Sequence, residues 1–63
     1  MLLYDLQPET RVTHPFFGNG SVSELRHQFC QYPIEVTFDS GEVVEFTRDG
    51  RLDEDDFFTL QLL

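Results

Sequence analysis

The stretch that decides the fold runs from Pro33 to Thr47, PIEVTFDSGEVVEFT. Ile34, Val36 and Phe38 alternate with Glu35, Thr37 and Asp39, and a period of two puts one set on a buried face and the other in solvent. Beyond Asp39-Ser40-Gly41 the apolar set resumes as Val44 and Phe46, alternating with Glu45 and Thr47. The register of the implied hairpin follows from matching the two sets. A two-residue Ser40-Gly41 loop places Glu45 opposite Val36 and forces a carboxylate onto the apolar face. A three-residue Asp39-Ser40-Gly41 loop pairs Val36 with Val44 and Ile34 with Phe46, and sets Gly41 where a type I turn with a G1 bulge needs positive φ. The sequence predicts the second register.

Upstream of the hairpin, Leu2, Tyr4 and Leu6 alternate before Pro8, which reads as a short strand or a single helical turn. Glu9 to Thr13 reads as the next strand, with Val12 inward and Arg11 and Thr13 outward. His14 to Gly20, HPFFGNG, is punctuated as a loop by Pro15, Gly18, Asn19 and Gly20. Extended structure resumes from Ser21 to Arg26. Val22 and Leu25 are out of step for a flat strand, and a bulge near Ser23-Glu24 reconciles them, a helix being the other explanation of that spacing. His27 to Tyr32 is a linking loop or a frayed hairpin end. Downstream, Asp49-Gly50 marks a tight turn, Asp53 to Asp56 is an acidic run, and Phe58, Leu60 and Leu62 alternate as a final strand. Five or six short strands in one domain spanning residues 1–63 imply a small, strongly bent barrel, because closure removes exposed edges. The expected fold is an all-β, SH3-like barrel with a core of Val12, Val22, Ile34, Val36, Phe38, Val44, Phe46 and Leu60.

Composition restricts the function. The chain carries 12 acidic residues against 4 arginines and no lysine, a net charge of −8. Nucleic-acid binding runs on phosphate neutralisation by Lys and Arg, so DNA, RNA and anionic membrane surfaces should repel this chain, whereas a basic protein should attract it. Net charge that only keeps the domain soluble is the plain alternative. A chain of 63 residues buries only about 60 % of its unfolded surface and has little room for a deep catalytic cleft. One cysteine, Cys30, excludes an internal disulfide and fits a reducing compartment, hence an expected cytoplasmic location. Met1-Leu2-Leu3 lacks the basic flank of a signal peptide, and no run approaches the ~20 apolar residues of a membrane span.

The stretch VTHPFFGNGSV, Val12 to Val22, resembles the V-x-H-x-x-F-G-x-G-x-V signature of small Tudor- and KOW-like barrels. That signature opens the C-terminal module of UvrD/PcrA-type helicases, and a looser version opens the RNA-polymerase-interacting domain of CarD-type regulators. Val36-Thr37-Phe38-Asp39-Ser40-Gly41 is similar to the later V-x-F-x-x-G hairpin of those domains. Tyr32 to Arg51 also resembles small bacterial and phage proteins in which an FG-x-G turn precedes YPI-x-V-x-F and F-T-x-D-G-R. The resemblance spans about residues 11–52 and implies a binding module, with RNA polymerase the partner in the helicase and CarD-type cases and RNA in ribosomal KOW relatives. The absence of lysine departs from the nucleic-acid-facing relatives and leaves protein contact standing.

Candidate residues follow from chemistry and position. His14, His27 and Cys30 are the residue types of a zinc site, but their spacing matches no zinc pattern, and His14 reads as a loop-fixing residue bonded to backbone. No catalytic residue, cofactor or metal site is expected. Phe17 should pack inward as the signature aromatic, leaving Phe16 as core or as a partner anchor. Cys30, beside Phe29, should be partly buried. Arg48 and Arg51 around Asp49-Gly50 either grip an anionic group on a partner or pair with Asp53 to Asp56. The acidic run is a solvated turn or an imitation of DNA phosphates.

The sequence thus predicts a non-enzymatic protein-interaction module with Phe16, Asn19, Arg48, Asp49 and Arg51 as contact residues. Its expected partner is RNA polymerase or another nucleic-acid-processing machine. The alternative is an acidic, DNA-mimicking inhibitor of a nucleic-acid-binding protein, of the kind phages encode. Direct RNA or DNA binding ranks last. An exposed edge strand or the FFTLQLL tail offers a route to a dimer.

Overall fold

The computed structural model describes residues 6–27 and 29–63; the expected strand or turn at residues 1–8 lies mostly outside them. Five strands form one antiparallel sheet: β1 (Arg11–His14), β2 (Gly18–Leu25), β3 (Ile34–Phe38), β4 (Val43–Phe46) and β5 (Gln61–Leu62). The strand order is β4-β3-β2-β1-β5.

The β3–β4 hairpin has the register that apolar matching requires, with Ile34 opposite Phe46 and Val36 opposite Val44. Phe38 N–H donates to Glu42 O at 2.8 Å and Gly41 N–H to Phe38 O at 2.9 Å, and Gly41 takes φ of 99°. The β2–β3 register slips between Val22 and Glu24, so Ser23 is the extra residue of a bulge. That slip puts Val22 and Leu25 on the same face: Val22 is buried and Leu25 packs half-buried against the core. Gly20 permits the close approach of β2 to β3, since a Cβ there would lie 2.8 Å from Thr37 O and 2.9 Å from Phe38 Cα.

One face of the sheet supplies most of the core. Val12, Val22, Ile34, Val36, Phe38 and Phe46 project from it, and Leu6 and Leu60 close it from the flanks. Fully burying a side chain of this size stabilises by about 1.5–3 kcal/mol, so these few residues dominate the apolar contribution. Leu6, although part of the Leu2-Tyr4-Leu6 alternation, lies outside the expected core set and joins it in the structure. Val44 is only half-buried, because β4 is an edge strand with no neighbour beyond it.

Three boundaries and the closure of the sheet differ from the sequence reading. β1 starts at Arg11, not Glu9: Thr10 N–H bonds Gln7 O at 3.1 Å in a turn that holds Glu9 at φ of 73°. The HPFFGNG loop shrinks to Pro15–Phe17, because His14 pairs with Gly18 and Asn19 pairs with Thr13 inside the ladder. The final strand keeps only Gln61–Leu62; Leu60 is buried, but Phe58 and Leu62 are 43 % and 55 % exposed, so their alternation does not mark an inward face. The sheet is not closed. β4 and β5 stand at its two ends, joined by a crossover of turns that offers β4 no extended partner. Thr47 N–H to Arg51 O (2.7 Å) and Leu60 N–H to Gly50 O (2.8 Å) tie this crossover to itself and to the approach to β5.

Candidate functional site

The sequence-predicted contact residues fall into two places. Phe16 and Asn19 belong to the β1–β2 hairpin, whereas Arg48, Asp49 and Arg51 come together in a pocket beside the crossover.

At the first place, His14 ends β1 with its ring buried. Its Nδ1 accepts the Phe16 backbone N–H at 3.1 Å, so the neutral ring carries its proton on Nε2. The ring packs against Phe17 at 4.9 Å, Phe46 at 5.6 Å and Phe16 at 5.8 Å between centroids. Burial lowers the imidazole pKa from its ordinary value, opposed by the charge of Asp56. His14 Nε2 and Asp56 Oδ2 are both buried without a hydrogen-bond partner among the described residues. His14 therefore fixes the turn through backbone, as expected of a loop-holding histidine. Phe17 turns inward onto Phe38 at 5.1 Å, while Phe16 stays 68 % exposed. Phe16 meets Phe58 edge-to-face, with centroids 4.8 Å apart and planes at 83°. Phe57, next to Phe58, is 92 % exposed. The result is an aromatic surface that follows the acidic run Asp53 to Asp56 along the chain.

Asn19 acts here through its backbone. Its carbonyl accepts the Asp39 N–H at 2.9 Å and joins the two hairpins. Arg11 reinforces the join with a two-pronged pair to Asp39 (3.1 and 2.9 Å) and a bond to Ser21 Oγ at 2.9 Å. The hydrogen bond from Arg11 is the main cause that holds the Asp39 carboxyl below its ordinary pKa, and the same bond raises the guanidinium of Arg11.

At the second place, Thr47, Arg48, Asp49 and Arg51 of one turn, Asp53 and Glu54, and the connector residues Phe29, Cys30 and Gln31 line a half-open pocket of about 320 Å³. Thr47 organises the turn: its carbonyl accepts Gly50 N–H at 2.9 Å and its Oγ1 accepts Arg51 N–H at 3.2 Å. Neither Arg48 nor Arg51 forms an ion pair among the described residues, so the expected pairing with Asp53 to Asp56 is not made; every ion pair there belongs to Arg11 or Arg26. The Arg51 Nε is buried with no acceptor. Cys30 is exposed rather than partly buried, because the connector bends outward at 29–32. His27 is also exposed, its Nδ1 accepting Phe29 N–H at 3.2 Å, and among the described residues no group of His, Cys, Asp and Glu is arranged to hold a metal.

Sequence reasoning missed Arg26. Its guanidinium lies 2.9 Å from Glu24, 3.6 Å from Glu35 and 2.7 Å from Glu45. The signal was present in the register, which sets Glu35 directly opposite Glu45 on the outer face. Like charges so placed repel, and a cation from the neighbouring strand end relieves them.

No protein-family model, curated protein or solved structure matches this chain. Among the described residues no helix is long and apolar enough to cross a membrane.

Proposed function

We propose that this chain is a non-enzymatic protein-interaction module. Its contact surface centres on Phe16, and its partner is a basic protein of the transcription or nucleic-acid-processing machinery. The observation that carries this reading is the exposed edge-to-face pair of Phe16, on the β1–β2 hairpin, with Phe58 of the crossover. Exposed aromatics held by structure lose little entropy on binding and serve as anchors. The neighbouring acidic run and the net charge of −8 favour a Lys/Arg-rich partner. The strand order β4-β3-β2-β1-β5, in which the last strand pairs with the first, and the bulge in β2 favour a Tudor/KOW-like, SH3-like path, left open between β4 and β5, the kind of scaffold on which polymerase-binding modules resembling this sequence are built.

The test is capture from a bacterial lysate by wild type and by Phe16→Ala, at low and high salt. A basic partner retained by wild type in both salts and lost with Phe16→Ala supports the aromatic anchor. The alternative, an acidic mimic of DNA, draws on a different observation: Arg11 and Arg26 are consumed in internal ion pairs, leaving a surface dominated by carboxylates. That reading requires retention to survive Phe16→Ala and collapse with salt.

A further inference from the structure

We infer that the pocket beside the crossover is a binding site for a small zwitterion of the α-amino-acid class. Basic members are preferred, taken either free or as the C-terminal residue of a chain. Neither Phe16 nor Phe58 lines this pocket, so the inference does not rest on the aromatic surface.

The cavity is about 320 Å³, the low end of the range for small-molecule sites and suited to a ligand of amino-acid size. Its charges are of both signs. Arg48 and Arg51 form no ion pair among the described residues, although Asp49, Asp53 and Glu54 line the same cavity. In a chain with 12 acidic residues, cations left unpaired beside carboxylates have donors available to an acceptor from outside. A carboxylate suits those donors best, since guanidinium and carboxylate match as parallel two-bond pairs.

The acidic side of the pocket sets the rest of the ligand. Two arginines and three carboxylates leave one excess negative charge. A phosphate dianion or a nucleic-acid strand is disfavoured by that balance, whereas a carboxylate carried with ammonium groups is favoured. Lysine, with one carboxylate and two ammonium groups, complements this set of two guanidinium and three acidic side chains. Phe29, 80 % exposed at the rim, offers an apolar face to the aliphatic stem. Hydrogen bonds within the turns, between backbone groups and to side chains, hold the site ready. Thr47, Gly50 and Arg51 bond one another, Leu60 N–H bonds Gly50 O at 2.8 Å, and Glu54 N–H bonds Asp53 Oδ1 at 2.6 Å.

The test uses the full chain, titrated with L-lysine, L-alanine, L-glutamate, L-lysinamide and a short peptide ending in lysine, followed by amide NMR shifts. Lysine is expected to bind more tightly than alanine, and alanine more tightly than glutamate, with shifts at residues 29–31 and 47–54. Lysinamide, which lacks the carboxylate, should bind about tenfold more weakly than lysine despite its higher charge. Arg48→Gln, at an exposed position, should remove that preference while the spectrum stays folded. Binding by the peptide and not by free lysine assigns the site to a chain terminus, and the reverse assigns it to the free amino acid; either supports the carboxylate grip. Equal binding of lysine and lysinamide, an unchanged preference in Arg48→Gln, or no saturable shift with any of these ligands up to about 10 mM overturns the proposal.

Discussion

The β3–β4 hairpin and the crossover at residues 47–60 are neighbours in the chain and opposites in construction. The hairpin is repetitive. Its alternation, its glycine turn and its ladder all specify one register, and Ile34, Val36, Phe38 and Phe46 are buried from it. The crossover contains no strand or helix and buries Leu60 at its end. Yet it supplies Arg48, Asp49, Arg51, Asp53 and Glu54 to the pocket and Phe58 to the aromatic surface. Regular structure here positions the chemistry, and irregular structure displays it.

That division can be broken by experiment. The largest effect belongs to the hairpin: Phe46→Ala, at a fully buried position, should cost about 3–5 kcal/mol in denaturant unfolding, a large share of the stability of so small a chain. A cost under about 1 kcal/mol would show that the core does not rest on this hairpin. Gly20→Ala comes next. Its Cβ would meet the backbone of Thr37 and Phe38 at 2.8–2.9 Å, and separating β2 from β3 should cost about 1–3 kcal/mol. Arg26→Gln leaves Glu24, Glu35 and Glu45 without their shared cation, and a loss of about 1 kcal/mol is expected, shrinking as salt rises.

The smallest effect is a pH dependence. Burial depresses the His14 pKa below 6.5, so in the window just below 6.5 the unfolded chain holds a proton that the folded chain lacks. Stability rises with pH through that window, is full above it, and falls as the solution is acidified toward the folded pKa. The difference between wild type and His14→Gln, measured by denaturation on both sides of the window, isolates this contribution from the carboxylates. A difference that does not change with pH would contradict the burial of a neutral ring.

The same contrast explains what could be read in advance. The hairpin register and the Ser23 bulge follow from interactions between residues close in sequence, for which apolar periodicity is a direct record. Leu60 is buried as expected, but the alternation that names it also names Phe58 and Leu62, which stay exposed, and Leu6 joins the core from outside the expected set. Gly18 and Asn19 carry loop-like composition but join the ladder, because a glycine-framed turn needs only Pro15–Phe17 to reverse the chain. The expected barrel closure failed for a related reason: alternation at 58–62 suggested a longer last strand than the two residues that pair with β1. At the candidate site, the clustering of Arg48, Asp49 and Arg51 was legible as a short motif. Their convergence with Phe29, Cys30 and Gln31 depends on tertiary placement that no local pattern encodes.

The central claim is that Phe16 serves binding rather than folding. It is tested most directly by measuring thermal stability and partner capture on one preparation of Phe16→Ala. The account predicts a loss of at most about 1 kcal/mol, the worth of its edge-to-face contact with Phe58, together with loss of the partner that wild type retains at high salt. Capture that persists at wild-type level in the folded variant would contradict it.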